Sequence, residues 1–95
     1  MSDNAAFQID YDEYADVLYI TSKNDVATKG NEDDSGIVWR YDRDGILISA
    51  TVLDFVDRWH KDQRLLVTTI SDHFRIPLLQ AETVLDGAWR LAPRH

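Results

Sequence analysis

The sequence predicts an α+β fold in which a four-stranded antiparallel β-meander, built as two hairpins, is followed by two helices packed on one face of the sheet. Three observations predict it. Up to Leu53 the apolar and β-branched residues come in short runs suited to strands. Asp-, Asn- and Gly-rich turns separate those runs. From Asp57 onward the apolar spacing lengthens to steps of four and seven, the period of a helix.

The first strand is carried by Phe7, Ile9 and Tyr11, which alternate with Gln8 and Asp10. A polar turn, Tyr11 to Asp16, leads into Val17-Leu18-Tyr19-Ile20-Thr21, a β-branched and aromatic run that reads as the second strand. Ser22 to Ser35 is polar throughout and reads as the longest loop. Gly36 opens a third strand, Ile37 to Tyr41, and Asp42-Arg43-Asp44-Gly45 is a strong turn signal because glycine tolerates the positive φ of a tight hairpin. The fourth strand, Ile46 to Leu53, has Ile46, Ile48, Ala50 and Val52 on its more apolar face. A weak repeat links Tyr11-Asp12 to Tyr41-Asp42. In each pair the ring is expected to cover the sheet end while the carboxylate accepts backbone N–H groups of the turn.

In the helical part, Trp59, Leu66, Ile70 and Phe74 fall on one stripe, with Asp57 or Asp62 as the cap. Ile76-Pro77 ends the first helix, since the residue before proline avoids helical angles and proline suits a first helical turn. Leu78, Ala81, Leu85 and Ala88 share a face of the second, and Gly87 reads as its C-cap, followed by a tail from Trp89 to His95. A single domain over 1–95 is expected, with the β-meander at 7–54 and the helical extension at 57–88.

Charge is unevenly placed. Residues 1–44 hold 11 acids and 4 bases, a net of −7, whereas residues 45–95 hold 6 of each. Nucleic-acid binding draws on Lys and Arg that neutralise phosphates, so direct binding to nucleic acid is not expected, nor is binding to an anionic membrane. A basic protein surface is the more natural match. The chain has no cysteine, which excludes disulfides, thiolate catalysis and sulfur-ligated metals. No apolar run is long enough to span a membrane, and Met1-Ser2-Asp3-Asn4 lacks the features of a secretory signal, so a cytoplasmic protein is expected.

The residues offer little chemistry. Asp10, Asp12, Glu13 and Asp16 are dense, but successive strand residues point to opposite faces and do not converge on a cation. Asp42-Arg43-Asp44-Gly45 is an incomplete calcium-loop pattern that a turn explains. Ser71-Asp72-His73 are sequence neighbours, whereas triad members meet in space. Residues 62–88 have helix-turn-helix spacing, but the second helix offers Gln80, Glu82, Thr83 and Asp86 where base-reading side chains would stand. No catalytic residue, metal ligand or cofactor is expected. The candidate partner-binding residues are Asp10, Asp12, Glu13, Asp16, Glu32, Asp33, Asp34 and Trp39.

Tyr11 to Ile20, YDEYADVLYI, and Gly36 to Asp54, GIVWRYDRDGILISATVLD, resemble the two halves of the bacterial domain-of-unknown-function family 2283. The resemblance spans residues of about 7–54. The order is a tyrosine-aspartate turn, a Leu-Tyr-Ile strand, an Asp-x-Asp-Gly turn and a strand ending in Leu-Asp. Two departures stand out. Ser49-Ala50-Thr51-Val52 replaces the family's Gly-Ile-Glu-Ile-type strand, and about forty further residues follow. The resemblance implies a small β-rich module with no assigned activity, similar to the antitoxin-like partners found beside small toxin genes.

The expected function is therefore a non-enzymatic protein-protein interaction module whose acidic half meets a basic partner. The alternatives are a phage or mobile-element inhibitor that mimics nucleic-acid charge and a small metal-dependent hydrolase. Small size, edge strands and the aromatic content also lead to the expectation of a homodimer.

Overall fold

A computed structural model describes residues 7–92; Met1-Ser2-Asp3-Asn4 and His95 lie outside the described residues. Five strands form one antiparallel sheet: β1 (Gln8–Asp12), β2 (Val17–Thr21), β3 (Lys29–Glu32), β4 (Ile37–Tyr41) and β5 (Leu47–Leu53). Three helices follow: α1 (Phe55–Trp59), α2 (Gln63–Phe74) and α3 (Leu78–Leu91).

The strand order is β1-β2-β5-β4-β3, which corrects the four-stranded meander expected from the sequence. The extra strand, β3, lies inside the stretch that reads as a loop. Its four residues, KGNE, are all exposed and none has strand propensity. It exists because the outer edge of β4 needs hydrogen-bond partners. The topology also differs, because β5 pairs with both β2 and β4. Ala50, Thr51 and Val52 are buried in succession, as suits a central strand flanked by β2 on one side and β4 on the other. The segment between β2 and β3 therefore runs to the far edge, and β3, β4 and β5 return as a Greek-key arrangement. A bulge leaves Ile48 as the extra residue: Arg40 pairs with Ser49 and Tyr41 with Leu47.

One sheet face is covered by the helices. Leu18, Ile20, Ile37, Trp39, Ala50 and Val52 meet Phe55, Trp59, Leu66, Ile70, Ala81, Leu85 and Ala88 in a single core. Ile46, expected on the apolar face of its strand, lies before β5 and is exposed.

The helical layer is three segments and not two. A five-residue α1 begins at Phe55 and ends at Trp59, before the α2 stripe starts. Asp62 occupies the N-cap position of α2 without making a side-chain cap bond. Arg75, in a left-handed conformation, ends α2, and Pro77 precedes α3 as its sequence requires. Gly87 is not a C-cap. It sits inside α3 against β1, where an added Cβ would lie 3.1 Å from the Ile9 Cδ1. The helix continues to Leu91, and the Trp89 ring stacks on Phe55 at 4.0 Å between centroids. No helix among the described residues is long and apolar enough to cross a membrane.

Candidate functional site

The aspartates sort into those that build the hairpin corners and those that the corners present. Asp33 and Asp42 occupy equivalent corners. The Asp42 Oδ1 accepts the N–H groups of Asp44 and Ile46, both at 2.9 Å, and Gly45 follows with φ 79°. The Asp33 Oδ1 accepts the N–H groups of Ser35 at 2.9 Å and Ile37 at 3.2 Å, and Gly36 follows with φ 86°. In both turns the glycine N–H bonds back to the aspartate carbonyl. This is the arrangement in which a left-handed residue closes a hairpin loop.

Asp12 opens the remaining corner, accepting from the N–H groups of Tyr14 at 3.0 Å and Ala15 at 3.3 Å. The left-handed position there is filled by Asp16, with φ 56°. A carboxylate at this position has a task that glycine cannot perform. The Asp16 Oδ1 accepts the Val56 N–H at 2.9 Å, its Oδ2 accepts the Asp57 N–H at 3.0 Å, and its carbonyl accepts the Phe55 N–H at 2.9 Å. These are the first three amides of α1, which its own N-cap residue, Asp54, leaves without a side-chain cap. Asp16 therefore caps from a distant hairpin and ties the sheet to the helical layer.

Tyr11 completes the corner. Its hydroxyl donates to the Asp16 Oδ1 at 2.7 Å and its ring meets Phe55 edge-on at 5.8 Å. Burial, then the Asp16 carboxylate, pushes the phenol up from 10.0 to about 12. The folded state thus holds a proton that the unfolded chain releases first, so stability falls as pH rises from about 10 through about 12. Tyr11→Phe is expected to cost about 1–2 kcal/mol at neutral pH. In urea unfolding at a series of pH values, the gap to wild type should close across that window.

Asp33 is likewise occupied. Ser35 donates its hydroxyl to the Oδ1 at 2.6 Å and the Trp39 indole N–H donates to the Oδ2 at 2.9 Å. Burial pushes this carboxyl up, but the bonds from Ser35, Trp39 and Ile37 together bring it below the usual carboxylate range. Asp42 is lowered mainly by the Ile46 N–H, against burial, with the Asp44 N–H and Lys23 adding to it; the Lys23 Nζ is 3.6 Å away.

The strand directions give the sheet two unlike ends. The β1–β2 turn, the β3–β4 turn and the start of α1 all lie at one end, as the register of the strands requires. That end carries Asp12, Glu13, Asp16, Glu32, Asp33, Asp34, Asp54 and Asp57. The four bases of residues 1–44 (Lys23, Lys29, Arg40 and Arg43) all lie toward the opposite end. Six of the eight partner-binding candidates are thereby brought to one end. Asp12, Asp16 and Asp33 hold the backbone there, while Glu13, Glu32 and Asp34 are exposed and in no ion pair among the described residues. Asp10 lies on the uncovered sheet face, sharing a row with Tyr19 and Thr51. Trp39, only 1% exposed, belongs to the core and offers no surface to a partner.

The other chemical candidates do not assemble. Ser71 donates its hydroxyl to the Ile76 carbonyl at 2.6 Å, and His73 stacks on Trp39, 3.8 Å between centroids and 3° between planes. Their side chains share no hydrogen bond among the described residues. A cleft of about 590 Å³ lies beside His73, between the turn at Gly45–Leu47 and the end of α2. Among the described residues no three His, Asp or Glu side chains are grouped to hold a metal ion.

A family model described as "Protein of unknown function (DUF2283)" matches residues 8–55, the span from β1 to the first residue of α1. No curated protein and no solved structure matches the chain. The matched span ends where Asp16 meets α1, so it contains all three hairpin corners and Phe55, the first of the amides that Asp16 caps.

Proposed function

The chain belongs to the DUF2283 family, and on that premise we propose that it is a non-enzymatic protein-binding module whose acidic sheet end receives a basic segment of a partner protein. The observation that carries this reading is the sorting of charge. Glu13, Glu32 and Asp34 stand exposed on the two hairpin corners that flank β5 at one end of the sheet, with the bases of the same half at the far end. A surface of mostly one sign steers and orients an oppositely charged partner, and rim charges act mainly on the association rate; Arg58, whose Nη1 lies 3.8 Å from where a Cβ on Gly36 would stand, is a base that reaches this end. The corners that present these carboxylates are rigidly bonded, so binding does not require them to become ordered. The antitoxin-like association fits the same picture, in which a small acidic protein occupies a basic protein.

The test is capture from native lysate by the immobilised full chain and by a Glu13→Lys, Glu32→Lys, Asp34→Lys variant. A partner held at low salt, released at high salt and not held by the variant supports the reading. Displacement of that partner by added nucleic acid would assign it to the class whose charge ligand is nucleic acid. No enriched protein, or equal capture by the variant, would overturn the proposal.

A further inference from the structure

On the side of the molecule away from the sheet, α2 and α3 leave an open groove of about 670 Å³. Its lining is mixed: Val67, Leu85 and Trp89 supply apolar surface, and Gln63, Arg64, Thr68, Glu82 and Asp86 supply polar groups. Leu78 and Leu79 stand at its margin, 54% and 73% exposed. Two adjacent exposed leucines beside this groove form a patch of the kind that marks an interaction site. The groove's charges fall on opposite helices. Arg64 is on α2, and Glu82 and Asp86 are on α3. None of the three is in an ion pair among the described residues. Glu82 and Asp86 are four residues apart on one helix, a spacing at which like charges repel.

We propose that this groove is the seat of a second copy of the chain. The groove is self-complementary: a two-fold axis running along it sets α2 of each copy against α3 of the other. Arg64 of each copy then faces Glu82 and Asp86 of the other, and the four margin leucines close over one apolar centre. Net charge favours this face as well. The −7 of the chain resides in residues 1–44, and residues 45–95, which contain the groove, are neutral. Two copies meeting through their acidic sheet ends would repel, and two meeting through the helical layer would not. The acidic ends stay outward and free, so this inference does not depend on the proposed partner. Charge reversal at Glu13, Glu32 and Asp34 leaves the dimer intact.

Sedimentation equilibrium of the full chain at micromolar concentration is the test. The expected mass is twice the 11.0 kDa of the chain. Leu79→Glu should weaken association about thirtyfold while leaving the circular dichroism of the fold unchanged. Arg64→Glu and Glu82→Arg should each weaken self-association, because each sets like charges at both 64–82 contacts, the second less strongly since Asp86 still faces Arg64. Mixing the two variants should give a stronger dimer than either alone, since both 64–82 contacts in the mixed pair are then of opposite sign. A monomeric wild type, a dimer indifferent to Leu79→Glu, or a mixture no stronger than its components would each overturn the proposal.

Discussion

Replacing Asp16 by alanine is expected to destabilise the fold by about 2–3 kcal/mol, more than any other single change at the hairpin corners. The substitution removes the acceptors of the Val56 and Asp57 amides and leaves the Tyr11 hydroxyl without its partner. It also places a Cβ-bearing residue with no local hydrogen bond at φ 56°, which costs about 1 kcal/mol of the total. Two further variants separate these contributions. Asp16→Gly relieves the backbone but still loses the cap, so it should fall short of the alanine effect. Asp16→Asn keeps tolerance of the left-handed region and one acceptor oxygen, and should be the mildest of the three. Urea unfolding midpoints give the order directly, and an asparagine variant as unstable as alanine would show that the second carboxylate oxygen dominates.

The second large effect is expected at Trp39, where truncation to alanine should cost about 3–5 kcal/mol. The ring fills the space between β4 and α2, flat against His73 and at an angle to Phe74, with centroids 6.3 Å apart. Its indole N–H also satisfies the Asp33 Oδ2. Trp39→Phe keeps much of the packing and loses the bond, so it should cost about 1–2 kcal/mol. Because the residue is buried, Trp39→Phe should retain a captured partner as well as wild type does. A loss of capture with no loss of stability would mean that the tryptophan reaches the surface and binds.

The β-strands with apolar content were legible in the sequence because burial imposes its own spacing. Leu18 and Ile20, Ile37 and Trp39, and Ala50 and Val52 all follow the period of two. The turn at Asp42–Gly45 was equally legible, since glycine there supplies the positive φ. β3 was not, because a short polar edge strand carries no apolar signal and forms only through the neighbour it pairs with. Nor was the sheet order, because which strand lies in the centre depends on long-range pairing and not on local pattern. The weak repeat pairs Tyr11-Asp12 with Tyr41-Asp42, and both aspartates do close turns. The nearer structural equivalent of Asp42-Arg43-Asp44-Gly45 is Asp33-Asp34-Ser35-Gly36. A signal for it was present, since aspartate followed three residues later by glycine occurs at both places.

The dual role of Asp16 had no local signal. Its ligands are 40 and 41 residues away, so only the assembled fold shows that this carboxylate caps a helix. Asp12, Asp33 and Asp42 differ in that the Oδ1 of each bonds within its own turn, at separations of two to four residues. Residue type alone therefore places seven acidic candidates in one class, and their hydrogen bonds divide them into two.

That division is tested most directly by urea unfolding of a Glu13→Gln, Glu32→Gln, Asp34→Asn variant. These three carboxylates are assigned no part in holding the backbone, so the variant should match wild type to within about 0.5 kcal/mol. A loss of about 2 kcal/mol or more would show that the exposed carboxylates support the hairpin corners, and that the surface offered to a partner cannot be separated from the scaffold that carries it.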